Sequence, residues 1–135
     1  MRLLLDTSYL YDIMDKPGAF LEQERRILAA RDAEFHVSSV SLWELRLKHN
    51  ARHPSGDRKS RFSPEDVISA LADQEVKFLP MTIAHAVKEL KTPLGHKDPF
   101  DELLLVQAQE EGLKLLTADR SLVGHPHAVS ARELQ

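Results

Sequence analysis

Four acids stand at chemically suggestive places in the chain: Asp6 closes "RLLLD", Glu44 lies in "VSLWEL", Asp101 ends "KDPFD" and Asp119 sits in "LLTADRSL". Carboxylates gathered in one pocket raise one another's pKa unless a cation neutralises them. The 135 residues include no cysteine, so a thiolate site and a disulfide framework are both excluded, as befits a reducing compartment. Oxygen donors alone favour a hard ion, Mg²⁺ or Mn²⁺. Such an ion serves phosphoryl transfer or phosphodiester hydrolysis, where it activates water and stabilises the leaving oxygen.

Each acid also has a local, purely structural reading. In Asp98-Pro99-Phe100-Asp101 an aspartate at the N-cap is followed by proline at the first helical position and an acid at the third, where it can bond back to the cap amide. Ser63-Pro64-Glu65-Asp66 follows the same grammar, and Ser41-Leu42-Trp43-Glu44 forms another capping box. Taken singly, Asp101 and Glu44 read as caps. Taken with Asp6 and Asp119, they read as ligands.

What decides between these readings is the scaffold. Apolar runs at 2–5, 34–40, 75–80 and 113–118 predict buried strands, with a short edge strand at 127–130. Asp6, Thr7 and Ser8 read as the turn that ends the first. Helical patterns fall at 20–31, 42–51, 64–74, 83–90 and 100–111. Strands alternating with helices predict one α/β domain over residues 1–135, a three-layer α/β/α sandwich around a central, mostly parallel sheet. In open parallel sheets the binding crevice lies at the carboxyl ends of the strands, where strand order reverses. Asp6 and Asp119 each follow a strand and belong at that rim.

The net charge of −3 argues against a general polyanion binder. Within "RLKHNARHPSGDRKSR", however, Arg46, Lys48, Arg52, Arg58, Lys59 and Arg61 face the single acid Asp57. This segment reads as a contact for RNA phosphates or for an acidic protein segment, or else as a solvated helix end and loop. His125 and His127, in an H-x-H spacing without a third ligand nearby, read as edge-strand histidines. His96 is a candidate phosphate contact or loop cap. Trp43 reads as a core or interface aromatic. The first apolar run is too short for a signal peptide or membrane span, so a cytoplasmic protein with no membrane contact is expected.

"LLLDTSYL", "VSSVSLWEL" and "HKDPFDELLLVQAQEEGLKLLTADRSL" together resemble the PIN-domain ribonucleases, specifically the VapC-type toxins of bacterial toxin–antitoxin pairs. The resemblance runs from Arg2 to about Leu122 in the family's order and spacing. It implies that Asp6, Glu44, Asp101 and Asp119 bind Mg²⁺ or Mn²⁺ and are the catalytic residues. Thr7 would contribute at the strand end, Thr117 would shape the loop of the fourth acid, and Asp98 would cap the helix and support the ligands from behind. It further implies an endoribonuclease that leaves 5′-phosphate and 3′-hydroxyl ends, an RNA substrate, a cognate antitoxin and a homodimer. Two departures stand out: members often carry Arg or Lys after DPFD, where this chain has Glu102, and Ser8-Tyr9 replaces a common His-Ala pair.

Rival readings leave their own signatures. A haloacid-dehalogenase-like phosphatase needs a second acid two residues after the first, and that position is Ser8. A phosphoreceiver wants paired acids at the first strand end, where Asp6 is alone. A non-catalytic RNA- or protein-binding module with a degenerate acidic pocket would bind without cleaving.

Overall fold

The computed structural model describes residues 1–134. Five strands, β1 (Arg2–Leu5), β2 (Glu34–Ser38), β3 (Val76–Leu79), β4 (Lys114–Leu116) and β5 (Ala128–Val129), form one sheet in the order β3-β2-β1-β4-β5. Every neighbouring pair is parallel, with Leu3 set between Phe35 and Lys114. The helices are α1 (Thr7–Asp15), α2 (Glu22–Leu28), α3 (Ser39–Asn50), α4 (Pro64–Leu71), α5 (Ile83–Val87) and α6 (Pro99–Glu111).

Alternation along β1 explains the layers. Successive side chains of a strand point to opposite faces, so Leu3 and Leu5 join Tyr9 and Leu10 of α1, Ile27 of α2 and Val67 of α4 in one core cluster. Leu4 joins Leu104, Leu105 and Ala108 of α6 in the other. The result is the three-layer α/β/α sandwich expected. Each leucine buried this way contributes roughly 1.5–3 kcal/mol, and residues Leu3, Leu4 and Leu5 are all at most 2% exposed. β1 and β4 are thus centred in the sheet and rigid, which fixes whatever their carboxyl ends carry.

α6 is buried on more than one side, through Leu104, Leu105, Val106, Gln107 and Ala108, because it packs against α3, α5 and β4. The one polar member of that set is fully satisfied. Gln107 accepts from the Ser38 hydroxyl and donates to His85 Nδ1 at 3.3 Å. His85 Nδ1 also accepts from the Thr82 amide at 3.0 Å, so the ring proton sits on Nε2 and faces Glu111 Oε1 at 2.8 Å. A line of polar groups therefore runs through the second core cluster. Gly112 ends α6 at φ 67°, a left-handed cap that other L-residues adopt only with strain.

Several expected boundaries move. The turn read at Asp6-Thr7-Ser8 is instead the start of α1, with Asp6 as its N-cap. The signal was present: Tyr9, Leu10, Ile13 and Met14 recur at helical spacing after a capping aspartate. The second strand ends at Ser38, not residue 40, because Ser38 caps α3 by accepting from the Val40 amide at 3.0 Å. The capping box proposed for Ser41 and Glu44 is therefore not formed; both lie inside the helix. The helices expected at 20–31, 64–74 and 83–90 are shorter, at Glu22–Leu28, Pro64–Leu71 and Ile83–Val87.

Candidate metal centre

β1 and β4 are neighbours, yet the sheet continues from β1 towards β2 and β3 on one side and from β4 towards β5 on the other. That reversal is a switch point, and its carboxyl rim is where a crevice must open. α3 leaves β2 directly and so starts at this rim. α6 runs back towards the amino end of β4, which puts its first turn at the same rim. A cleft of about 560 Å³ opens there, and its walls include Asp6, Glu44, Asp101 and Asp119 together with Thr7 and Asp98. Four acids from four separate segments share one cavity.

Each is held differently. Asp6 is 6% exposed; its Oδ1 accepts from the Thr7 amide at 2.8 Å and its Oδ2 from Thr117 Oγ1 at 2.6 Å. Burial holds the Asp6 carboxyl above the usual range; the bonds from Thr117 and Thr7 work against this, while Glu44 and Asp119 add to it. Thr117, fully buried, also accepts from the Asp119 amide at 3.0 Å, so one hydroxyl ties two acids together. The Thr117 hydroxyl thus contacts both the backbone of the Asp119 loop and the Asp6 carboxylate. Thr7, in the first turn of α1, donates to Ser41 Oγ at 2.8 Å and locks α1 against α3.

The DPFD segment divides its labour. Asp98 Oδ1 accepts from the amides of Phe100 at 2.9 Å and Asp101 at 3.3 Å, so Asp98 is the cap. Among the described residues, the Asp101 carboxylate makes no bond back to the cap amide; His96 Nε2 lies 3.8 Å from it. Burial first, and then Asp98, Asp6 and Asp119, push its pKa up to about 7, with His96 opposing. Asp119 goes the other way: the Ser121 hydroxyl and amide, at 2.7 and 2.9 Å, hold its carboxyl below the usual range. Glu44 pairs with Lys48 one turn on, at 3.0 Å.

The basic segment splits. Lys48 and Lys59 line the acidic cleft. Arg52, Arg58 and Arg61 line a separate hollow with Tyr11, a residue shared with the cleft. There Arg52 donates to the Gly56 carbonyl at 2.8 Å, Arg58 to the His49 carbonyl at 2.6 Å, and Arg61 pairs with Asp15. Arg46 is exposed on α3 and lines neither. Glu102 faces a groove beside α5, away from the acids, so the charge it adds is not in the cleft. His125 accepts from the His127 amide and contacts the Thr92 carbonyl, and the pair organises its own loop. Trp43 is 48% exposed and rests on Phe100 at 5.4 Å. Asp12 and Tyr11 also line the cleft. Sequence reasoning missed both because it read no helix after Asp6.

The donor chemistry suits a hard divalent cation, since every acidic wall group offers carboxylate oxygen. Burial raises both Asp6 and Asp101, and neighbouring carboxylates add to it, Glu44 and Asp119 at Asp6 and Asp98, Asp6 and Asp119 at Asp101, as expected of buried acids that lack a counter-charge. Among the described residues no group of three or more is already drawn in tightly enough to hold an ion.

Comparison with solved structures finds the same fold elsewhere. A chain of VapBC2 from Rickettsia felis, bound to a promoter DNA fragment, aligns at TM-score 0.67 and 17% identity over 96% of this chain and 97% of that one. A toxin–antitoxin complex from Klebsiella pneumoniae aligns at 0.62 and 18%, covering 96% and 97%. DNA-bound VapBC from Salmonella typhimurium aligns at 0.60 and 18%, covering 97% and 98%. Curated protein sequences gave no significant match. No described helix is long and apolar enough to cross a membrane. The family model for the PIN domain matches residues 3–126, from the first buried residue of β1 to beyond β4, so all four acids and the strands that carry them fall within the match, and the chain belongs to the PIN domain family.

Proposed function

We propose that this chain is a divalent-metal-dependent endoribonuclease and the toxin of a toxin–antitoxin pair. The observation that carries the reading is the meeting of Asp6, Glu44, Asp101 and Asp119 in one cleft at the β1–β4 switch point. Its wider setting agrees, since VapC proteins of the PIN family are generally nucleases.

Asp6, Glu44, Asp101 and Asp119 would hold one or two Mg²⁺ or Mn²⁺ ions, directly or through water. When bound, the ion supplies charge neutralisation, a more acidic water and stabilisation of the leaving oxygen. Asp6 is a fixed ligand, because Thr117 and Thr7 restrain both of its oxygens. Asp119 is likewise oriented by Ser121. Asp101 is the adaptable member: burial and neighbouring acids push its pKa up to about 7, and it would release its proton on holding a cation. Lys48 and Lys59, the two cations of the cleft wall, meet phosphate oxygens. Water then attacks the RNA phosphodiester in line, without a covalent intermediate, leaving 5′-phosphate and 3′-hydroxyl ends.

The similar chains were solved in complexes described as VapBC or toxin–antitoxin, which supports a cognate antitoxin for this chain. A homodimer is consistent with the apolar side chains exposed along β3, α5 and the link between them, namely Phe78, Met81, Ile83 and Val87. The deciding experiment incubates antitoxin-free protein with structured RNAs and Mg²⁺, with and without EDTA, and maps the cut ends. Cleavage that EDTA and Asp101→Asn both abolish is expected. RNA bound but left intact in Mg²⁺ would instead identify a binding module.

A further inference from the structure

The acidic cleft is a poor place to hold a polyanion. Six carboxylates line it, Asp6, Asp12, Glu44, Asp98, Asp101 and Asp119, against two ammonium groups, Lys48 and Lys59. Even with a divalent ion bound, the wall keeps a net negative charge. Affinity for RNA must therefore come from cations that flank the cleft, because phosphate neutralisation supplies most of nucleic-acid binding energy.

On the Tyr11 side, the flank is the hollow of Arg52, Arg58 and Arg61, whose guanidinium groups are already engaged by backbone carbonyls and Asp15. A second flank meets the cleft at a different wall residue, Ala118. A hollow of about 460 Å³ adjoins the cleft across the loop after β4: Ala118 lines both, Thr117 and Arg120 line the hollow, and Asp119 lines the cleft. Arg132 completes its rim. Both arginines are exposed, and among the described residues neither is held in a salt bridge. The acid in this hollow, Glu24, is already occupied by the Tyr9 hydroxyl at 2.7 Å and the Leu21 amide at 2.9 Å.

We infer that the Arg120–Arg132 hollow binds the backbone of the RNA strand next to the scissile phosphate. The single strand then runs from the Arg52–Arg58–Arg61 side, over the acids, across Ala118, and out over Arg120 and Arg132. A free guanidinium presents a planar fork that matches phosphate oxygens two at a time, and two such groups beyond the acids hold the strand taut over the reacting bond. The inference rests on the nuclease reading for its direction, yet it concerns binding and is measured without cleavage.

The test is the salt dependence of binding to a short fluorescent oligouridylate, with Ca²⁺ in place of Mg²⁺, for wild type and for the Arg120→Gln/Arg132→Gln double variant. Each lost phosphate contact flattens the log–log slope by about 0.7 for single strands, hence by about 1.4 for both. Weaker binding with that flatter slope and an unchanged melting temperature is the expected result. An unaltered slope and affinity overturns the inference, and so does a wild-type protein that binds no oligouridylate. Should the double variant lose its slope while wild type cuts no RNA in Mg²⁺, the track stands and the nuclease reading fails. Should wild type cut RNA while the slope is unmoved, the reverse holds. A single Arg120→Lys variant, keeping the charge but not the fork, should restore most of the slope.

Discussion

Thr117 Oγ1 donates to Asp6 Oδ2 at 2.6 Å across a sequence separation of 111 residues, and the same oxygen accepts from the Asp119 amide. One buried hydroxyl thus orients the Asp6 carboxylate and anchors the backbone of Asp119, two acids that follow neighbouring strands. Thr117→Val keeps the shape of the side chain and removes both bonds. Loss of a supporting bond of this kind costs roughly 10- to 100-fold in metal affinity or activity, and we expect that loss with the fold retained. Isothermal titration with Mn²⁺ measures it; unchanged affinity would show that Thr117 only packs.

Asp98 and Asp101 separate stability from activity. Removing a capping side chain costs about 1 kcal/mol, so Asp98→Ala should lower the melting temperature. Asp101→Asn removes like charge from a crowded wall and breaks no cap bond. It should leave stability equal or higher while RNA cleavage disappears. If Asp101→Asn melts earlier and cleaves normally, Asp101 is structural.

The pH profile of the metal-free protein follows from the same residue. The folded-state pKa of Asp101 lies at about 7, against an ordinary value of 3.8. Between these two values the folded chain keeps a proton that the unfolded chain releases, so stability falls as pH rises through the window, and the penalty is complete above it. His36 and His127, both held below the usual histidine range, act oppositely by losing stability as pH falls. The comparison of wild type with Asp101→Asn cancels them. Thermal scans should show a flatter profile for the variant, and Mg²⁺ should raise the wild-type melting temperature more at pH ~8 than at pH ~5. Equal profiles for the two proteins would refute the assignment.

Gln107 offers a prediction for the scaffold. It is fully buried, bonded to Ser38 and His85, and sits where α6 meets the α3 cap. Gln107→Ala opens a cavity and leaves the buried Ser38 hydroxyl without its acceptor, which costs about 1–3 kcal/mol beyond the cavity, while His85 Nδ1 keeps the Thr82 amide. A fall in stability of several kcal/mol by denaturant titration is expected. A loss under 1 kcal/mol would mean that water replaces the amide.

How much of this was legible in the sequence depends on range. Strand and helix identities came from local periodicity, and Asp98 and Ser63 were recognisable as caps because a capping motif is complete within four residues. α1 was missed because Asp6-Thr7-Ser8 satisfies a turn as well as it satisfies a cap, and nothing within three residues distinguishes them. Ser41 was mistaken for the cap of α3 for the same reason: three serines, Ser38, Ser39 and Ser41, compete, and burial of Val37, in β2, and Val40, in the first turn of α3, in different core clusters decides where the strand ends.

The acids themselves show the division most clearly. Residue types, the absence of cysteine and the alternation of strands and helices were enough to nominate four carboxylates, a hard cation and a parallel sheet. Which side chains face one another was decided only by tertiary structure, because strand order is set by long-range packing: β4 docks beside β1, and only then does Thr117 reach Asp6. The same cause divides the basic segment, sending Lys48 and Lys59 into the cleft and Arg52, Arg58 and Arg61 elsewhere, and it brings Arg120 and Arg132 to a common rim that no local pattern could join.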